Sequence, residues 1–165
     1  MQYFVTGATG FIGKRLVKKL LERKGSVVYF LIRRESEGKV PALREYWGST
    51  AARAVPVFGD LTAKKLGVAA EDVKKLKGQI DHFHHLAAVY DLSADAESQI
   101  AVNIEGTRNT VDLAKAIDAG HFHHVSSIAA AGLYEGVFRE DMFDEAENLD
   151  DPYFRTKHDS EALVR

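Results

Sequence analysis

Val5-Thr6-Gly7-Ala8-Thr9-Gly10-Phe11-Ile12-Gly13 is the stretch that decides how this chain is read. The apolar run 2–6 leads into it, and an amphipathic stretch from 11 to about 23 follows at once, with Leu16, Leu20 and Leu21 on one face. The order is strand, glycine turn, helix. Gly7 permits a tight turn off the strand. Gly10 has no Cβ, so the backbone there can approach a pyrophosphate. Gly13 lets the helix pack against the sheet, and the helix N-terminus offers free N–H groups and the positive end of its dipole. Thr6, Gly7, Thr9, Gly10, Phe11, Ile12 and Gly13 are therefore candidate contacts to a dinucleotide.

Outward from this loop, β-rich apolar runs alternate with helical patterns. The spacing predicts strands over 27–32, 54–58, 82–86 and 122–126. It predicts helices over 40–47, 69–77 and 94–119, the last broken near its start. An irregular acidic segment over 132–151 precedes Pro152, which suits the first turn of a final helix to 165. Such alternation implies an α/β chain with a doubly wound parallel sheet of Rossmann type, one nucleotide-binding domain over 1–165. The last helix has no following strand to complete a crossover. The chain thus reads as the N-terminal portion of a longer protein, lacking a substrate-binding part and inactive alone.

At 165 residues the chain can build one hydrophobic core, and 45% hydrophobic with 28% charged residues is an ordinary globular balance. A net charge of −2 provides no field to recruit nucleic acid or an anionic membrane. The absence of cysteine excludes disulfides, thiolate metal sites and cysteine nucleophiles, and suits a reducing cytoplasm. No signal peptide precedes the first strand, and no apolar run is long enough to span a bilayer.

Four further features agree with the loop. The second strand ends Leu31-Ile32-Arg33-Arg34, where this fold reads the adenosine ribose. Two guanidiniums suit a 2′-phosphate and favour NADP(H), while nearby Glu35 keeps NAD open. Gly59-Asp60-Leu61 follows the third strand. The Asp60 carboxylate could accept from an adenine amine, or it could serve ordinary turn chemistry. His85-Leu86-Ala87-Ala88 ends the fourth strand, and its small residues would let the backbone run close to a cofactor. Tyr153 and Lys157 stand four apart on the final helix, on one face. A nearby ammonium lowers a phenol's pKa, so the tyrosine could exchange a proton with a carbonyl oxygen. The Ser127 hydroxyl, beyond the fifth strand, could hold the same oxygen, with Ser126 pointing elsewhere.

These motifs together resemble the extended short-chain dehydrogenase/reductase superfamily. The resemblance runs through Thr6-Gly7-x-x-Gly10-x-x-Gly13, Asp60-Leu61, His85-Leu86-Ala87-Ala88, Asn103-x-x-Gly106-Thr107, Val125-Ser126-Ser127 and Tyr153-x-x-x-Lys157. It implies catalytic roles for Ser127, Tyr153 and Lys157. Ser127 is preferred over Ser126 because the family's serine stands five residues before a glycine, here Gly132. Asn103 matches an asparagine that sets the cofactor-side helix. The segments 84–92, 123–132 and 138–143, with Tyr153-x-Arg155-Thr156-Lys157-His158, are similar to bacterial fatty acyl-CoA reductases. That likeness implies NADPH as cofactor and an acyl thioester or aldehyde as substrate. It is compatible with a homodimer through the long helices. Sugar-nucleotide epimerases or dehydratases share the fold and the three residues and form the alternative, as does a cofactor-binding module without turnover.

Seven histidines include His82, His84 and His85 on one strand and His121, His123 and His124 near another. They are not spaced with acidic or thiolate partners, so no metal site is expected. The acidic stretch 140–151 reads as a solvated loop, and Trp47 as local packing.

Overall fold

The computed structural model describes residues 1–88 and 96–165. Val89, Tyr90, Asp91 and Leu92 of the acyl-reductase-like segment, and the start of the long helix at 94, fall outside them. Five strands, β1 (Gln2–Thr6), β2 (Val27–Ile32), β3 (Ala54–Phe58), β4 (His82–His85) and β5 (His121–His124), form one parallel sheet in the order β3-β2-β1-β4-β5. The chain winds outward from β1 to β3, then returns to the other side of β1. The strand order therefore reverses between β1 and β4, and a crevice opens at their carboxyl ends. Pro56 lacks an N–H, and it sits on the edge strand β3, where the ladder needs none on the outer side.

Helix α1 (Phe11–Glu22) buries Gly13, Val17, Leu20 and Leu21, a helical stripe, against the face carrying Tyr3, Val5, Val28 and Phe30. One side chain ties its C-terminal end to the start of β2: the Arg53 guanidinium donates to the backbone oxygens of Leu21 and Arg23 at the helix end and of Ser26 just before the strand. Helix α2 (Val40–Trp47) spans the predicted residues. Trp47 packs edge-on against Phe30, with ring centroids 5.2 Å apart, and donates to the Lys14 carbonyl. The opposite face packs Phe4, Leu31, Val57 and Phe83 against α3 (Ala70–Leu76) and α5 (Gly106–Ala116).

The predicted break in the long helix is a change of winding. A short α4 (Ala96–Gln99) runs into a π-helical turn over Ile100–Glu105 before α5. This turn carries the buried Asn103. After β5 the chain makes a 3₁₀ turn over Ile128–Ala131 and an irregular stretch pinned by a bridge between Gly132 and Glu147, then enters α6 (Pro152–Ala162). Asp151 caps α6 by accepting from the N–H groups of Tyr153 and Phe154.

His82, His84, His121 and His123 share one face of β4 and β5. Their rings stack on each other and on Tyr3, with the His84 and His123 centroids 4.6 Å apart. Burial and the flanking imidazoles lower the His84 pKa to about 4, so this ring is neutral at pH 7. Among the described residues, no group of three or more His, Asp or Glu side chains is arranged to hold a metal ion. Nor is any helix among them long and apolar enough to cross a membrane.

Candidate active site

A cleft of about 620 Å³ lies over the carboxyl ends of β1, β2 and β4. Gly7, Thr9 and Gly10 form its floor, Arg33, Ser36 and Lys39 one end, Asp60 to Thr62 a side, and Leu86 to Ala88 the opposite wall. Gly7 turns there with φ +74°, and a Cβ on it would stand 2.8 Å from the Ala87 backbone nitrogen. A Cβ on Gly13 would land on the Gly7 carbonyl, so helix and loop touch backbone to backbone. The α1 N-terminus has no side-chain cap and no acidic residue in its first turn. An uncapped helix end beneath a side-chain-free loop, with cationic groups at the far end, fits a dinucleotide diphosphate. Phe11 and Ile12 begin the helix with largely exposed side chains, and neither lines the cleft.

The two arginines part ways. Arg33 lines the cleft and pairs with Glu35 at 3.5 Å, both well exposed. The Arg34 guanidinium instead lies over the Phe58 ring, 4.6 Å from its centroid. A 3₁₀ turn over Arg34–Lys39 rotates the chain and brings Ser36 and Lys39 to the cleft. No signal in the sequence marks these two, because the turn carries no hydrophobic period to reveal it.

Asp60 lines the cleft and serves turn chemistry as well. Its Oδ1 accepts from the Thr62 N–H at 2.8 Å and from the Thr62 hydroxyl at 2.6 Å. Those bonds, with the Arg33 charge, hold its pKa below the usual carboxylate value. Leu61 follows, and its carbonyl accepts from the Asn109 amide at 2.8 Å.

Tyr153 and Lys157 are buried on the inner face of α6. The Lys157 Nζ donates to the Val125 carbonyl at 3.2 Å, which ties α6 to the segment leading into Ser127. Burial pulls the Lys157 pKa below that of an ordinary lysine, and Glu161, one turn on, opposes the shift. The two neighbouring serines have different partners. The Ser126 hydroxyl donates to Glu161 Oε2 at 2.6 Å, so it is engaged with the far end of α6. Ser127 caps the 3₁₀ turn, its oxygen accepting from the Ala129 N–H at 3.2 Å, a bond that does not use its own proton. His124 stands nearby, and among the described residues neither of its ring nitrogens has a hydrogen-bond partner. Burial and the Lys157 charge bring its pKa down to about 4. A phenol, an ammonium and a hydroxyl are the group types that, brought to one carbonyl oxygen, can bind it and move a proton to it.

Residues 5–165 match the model of the NAD-binding family described as male sterility protein. Among curated relatives, a component of the linear gramicidin synthase of Brevibacillus parabrevis is 32% identical over 97% of this chain and 3% of its own length. Fatty acyl-CoA reductase 1 of Arabidopsis thaliana is 27% identical over 88% of this chain and 34% of its own. The crystal structure of the terminal R domain from the myxalamid PKS-NRPS biosynthetic pathway superposes with a TM-score of 0.85. It is 30% identical, across 99% of this chain and 44% of that domain. The chain thus spans about a third or less of these curated relatives and under half of the solved domain.

Proposed function

The chain belongs to the male sterility protein family, within the extended short-chain dehydrogenases/reductases, and on that premise we propose that it forms the cofactor-binding and proton-donating half of an NADPH-dependent reductase of acyl thioesters. The observation that carries this reading is the junction of α6 with the end of β5. There Lys157 is held to the Val125 carbonyl, with Tyr153 one turn before it and Ser127 two residues beyond Val125. The name of the Arabidopsis relative, a fatty acyl-CoA reductase, supports the thioester class.

The loop from Gly7 to Gly13 would hold the diphosphate, Asp60 and Leu61 the adenine side, Leu86 to Ala88 the nicotinamide side with the buried Asn103 setting the helix behind it, and Arg33, Ser36 and Lys39 a 2′-phosphate. A reduced nicotinamide bound there supplies hydride. The chain's own groups manage the oxygen. Ser127 donates a hydrogen bond to the substrate carbonyl, and the Tyr153 phenol gives its proton as negative charge develops on that oxygen. The Lys157 ammonium stabilises the resulting phenolate. A thioester reduced this way becomes a hemithioacetal, which breaks its C–S bond to release a thiol and an aldehyde.

Cofactor selectivity tests the reading. The full-length protein should bind NADPH at least about 10-fold more tightly than NADH, since a charge-assisted contact in a partly exposed site contributes on the order of 1–2 kcal/mol. Arg33→Ala and Lys39→Ala should each erode that preference, and Arg34→Ala should do less because its guanidinium rests on Phe58. Fluorescence titration measures all four proteins. Equal affinity of the unmodified protein for the two cofactors contradicts the assignment.

A further inference from the structure

Resting on that reading of Tyr153, we infer that His85 is a positioning residue: its neutral Nε2–H imidazole joins the end of the phosphate-loop strand to the helix of Tyr153 through one unbroken chain of buried hydrogen bonds. The chain begins at Thr6, the last residue of β1, whose Oγ1 lies 2.7 Å from His85 Nδ1. His85 Nε2 lies 3.0 Å from Thr107 Oγ1 on α5. That hydroxyl donates to the Asn103 carbonyl at 2.7 Å. The Asn103 amide donates to Thr156 Oγ1 at 3.1 Å, and Thr156 donates to the Tyr153 carbonyl at 3.2 Å. Thr6, His85, Asn103, Thr107 and Thr156 are each no more than 2% exposed.

The tautomer follows from both ends independently. The Asn103 carbonyl can only accept, so the single Thr107 proton goes to it, and Thr107 meets the imidazole as an acceptor. His85 Nε2 must therefore carry a hydrogen. At the other end, the N–H groups of Leu86 and Ala87 both point at Thr6 Oγ1, each at 3.3 Å. They take its lone pairs and leave its proton for His85 Nδ1. A second proton on the ring would face a hydroxyl with no lone pair to spare. Burial first, then the charges of His124 and Lys157, hold the His85 pKa down to about 3, in keeping with that geometry.

The arrangement joins four separate elements: the strand entering Gly7, the strand entering Leu86 to Ala88, the π turn with α5, and α6. An apolar residue at position 85 could fill the volume, but it could not fix the spacing of the loop relative to the Tyr153 backbone. A buried network of this kind has a strained or unsatisfied partner as soon as one member is lost, so its links should act as a unit.

The test has two arms on the full-length protein. In the first, ¹⁵N NMR of the histidine rings reads the tautomer in the unmodified protein. The expected signature is Nε2–H with no titration between about pH 8 and 5; an Nδ1–H ring, or one that titrates at an ordinary histidine value, overturns the inference. The second is a double-mutant cycle of Thr6→Val and Thr156→Val, which sit at opposite ends and share no direct contact. Each should lower kcat by about 10-fold, a shift of well under 1 Å being enough for that. The double variant should lose about the same 10-fold. A multiplied loss of about 100-fold, the outcome for independent sites, overturns it, with thermal melts confirming that the variants are folded. The NMR arm needs no turnover. Inactivity toward thioesters would therefore sink the functional reading while leaving this one to be judged by the ring.

Discussion

Tyr153→Phe in the full-length protein should lower thioester reduction by about 10²–10⁴-fold while leaving NADPH affinity within a few-fold of the unmodified protein, the range spanned by loss of one general acid. The reason lies in what the phenol does and does not touch. Its ring is buried on the inner face of α6, so phenylalanine keeps the packing. The proposed contacts to the diphosphate come from the loop and α1 rather than from α6. Only the proton donor is removed. Stopped-flow turnover with a long-chain acyl-CoA, beside a cofactor titration, separates the two effects. A Tyr153→Phe protein that reduces thioesters at the normal rate would show that another group protonates the oxygen, with Ser127 the next candidate. Lys157→Ala should behave differently and hurt both quantities, because we propose that the same ammonium stabilises the phenolate and also binds the nicotinamide ribose.

Gly10→Val should abolish detectable cofactor binding, a loss of at least about 100-fold, or about 2.7 kcal/mol, with little change in thermal stability. The three loop glycines are not equivalent. Gly7 has φ +74° and Gly13 meets the Gly7 carbonyl, so side chains at either would strain or break the turn. Gly10 has extended backbone, φ −78° and ψ 174°, which any residue adopts. A Cβ on it meets only the Gly7 oxygen, at 3.3 Å, a contact relieved by a shift of a few tenths of an ångström. Its side chain would instead enter the cleft that Gly10 lines. A folded Gly10→Val protein that binds NADPH normally would show that the diphosphate lies elsewhere. Circular dichroism melts alongside the titration keep folding and binding apart.

The sheet is legible in the sequence because β1, β2 and β3 are runs rich in β-branched or aromatic residues, β4 and β5 are short His-Phe-His-His runs between helical patterns, and α1 carries a clear apolar stripe. β1, β2, β3 and α2 match their predicted limits, and the other elements differ by a few residues at their frayed ends or, in the long helix, by the π turn that divides it. The irregular connections are not legible. The 3₁₀ turns over Arg34–Lys39, Gly48–Arg53 and Lys64–Gly67 are set by tertiary contacts and carry no period of their own. The first of them decides which cations face the cleft. Adjacency to Arg33 makes Arg34 look like a phosphate ligand, and nothing local points to Ser36 or Lys39. Strand alternation separates Ser126 from Ser127 in the sequence, and in the fold the two hydroxyls have different partners. The Thr6–His85–Thr107 link joins residues distant in sequence. His85 stands out as part of a motif, but nothing near it says which of its nitrogens carries the proton.

The most direct test of the account is isotopic. NADPH carrying deuterium at the transferable C4 position is incubated with the full-length protein and a long-chain acyl-CoA, and the product is read by mass spectrometry. The account predicts consumption of the labelled cofactor and an aldehyde with one deuterium at its carbonyl carbon, or an alcohol with two if reduction continues. Tight binding of NADPH with no deuterium in any acyl product would contradict it.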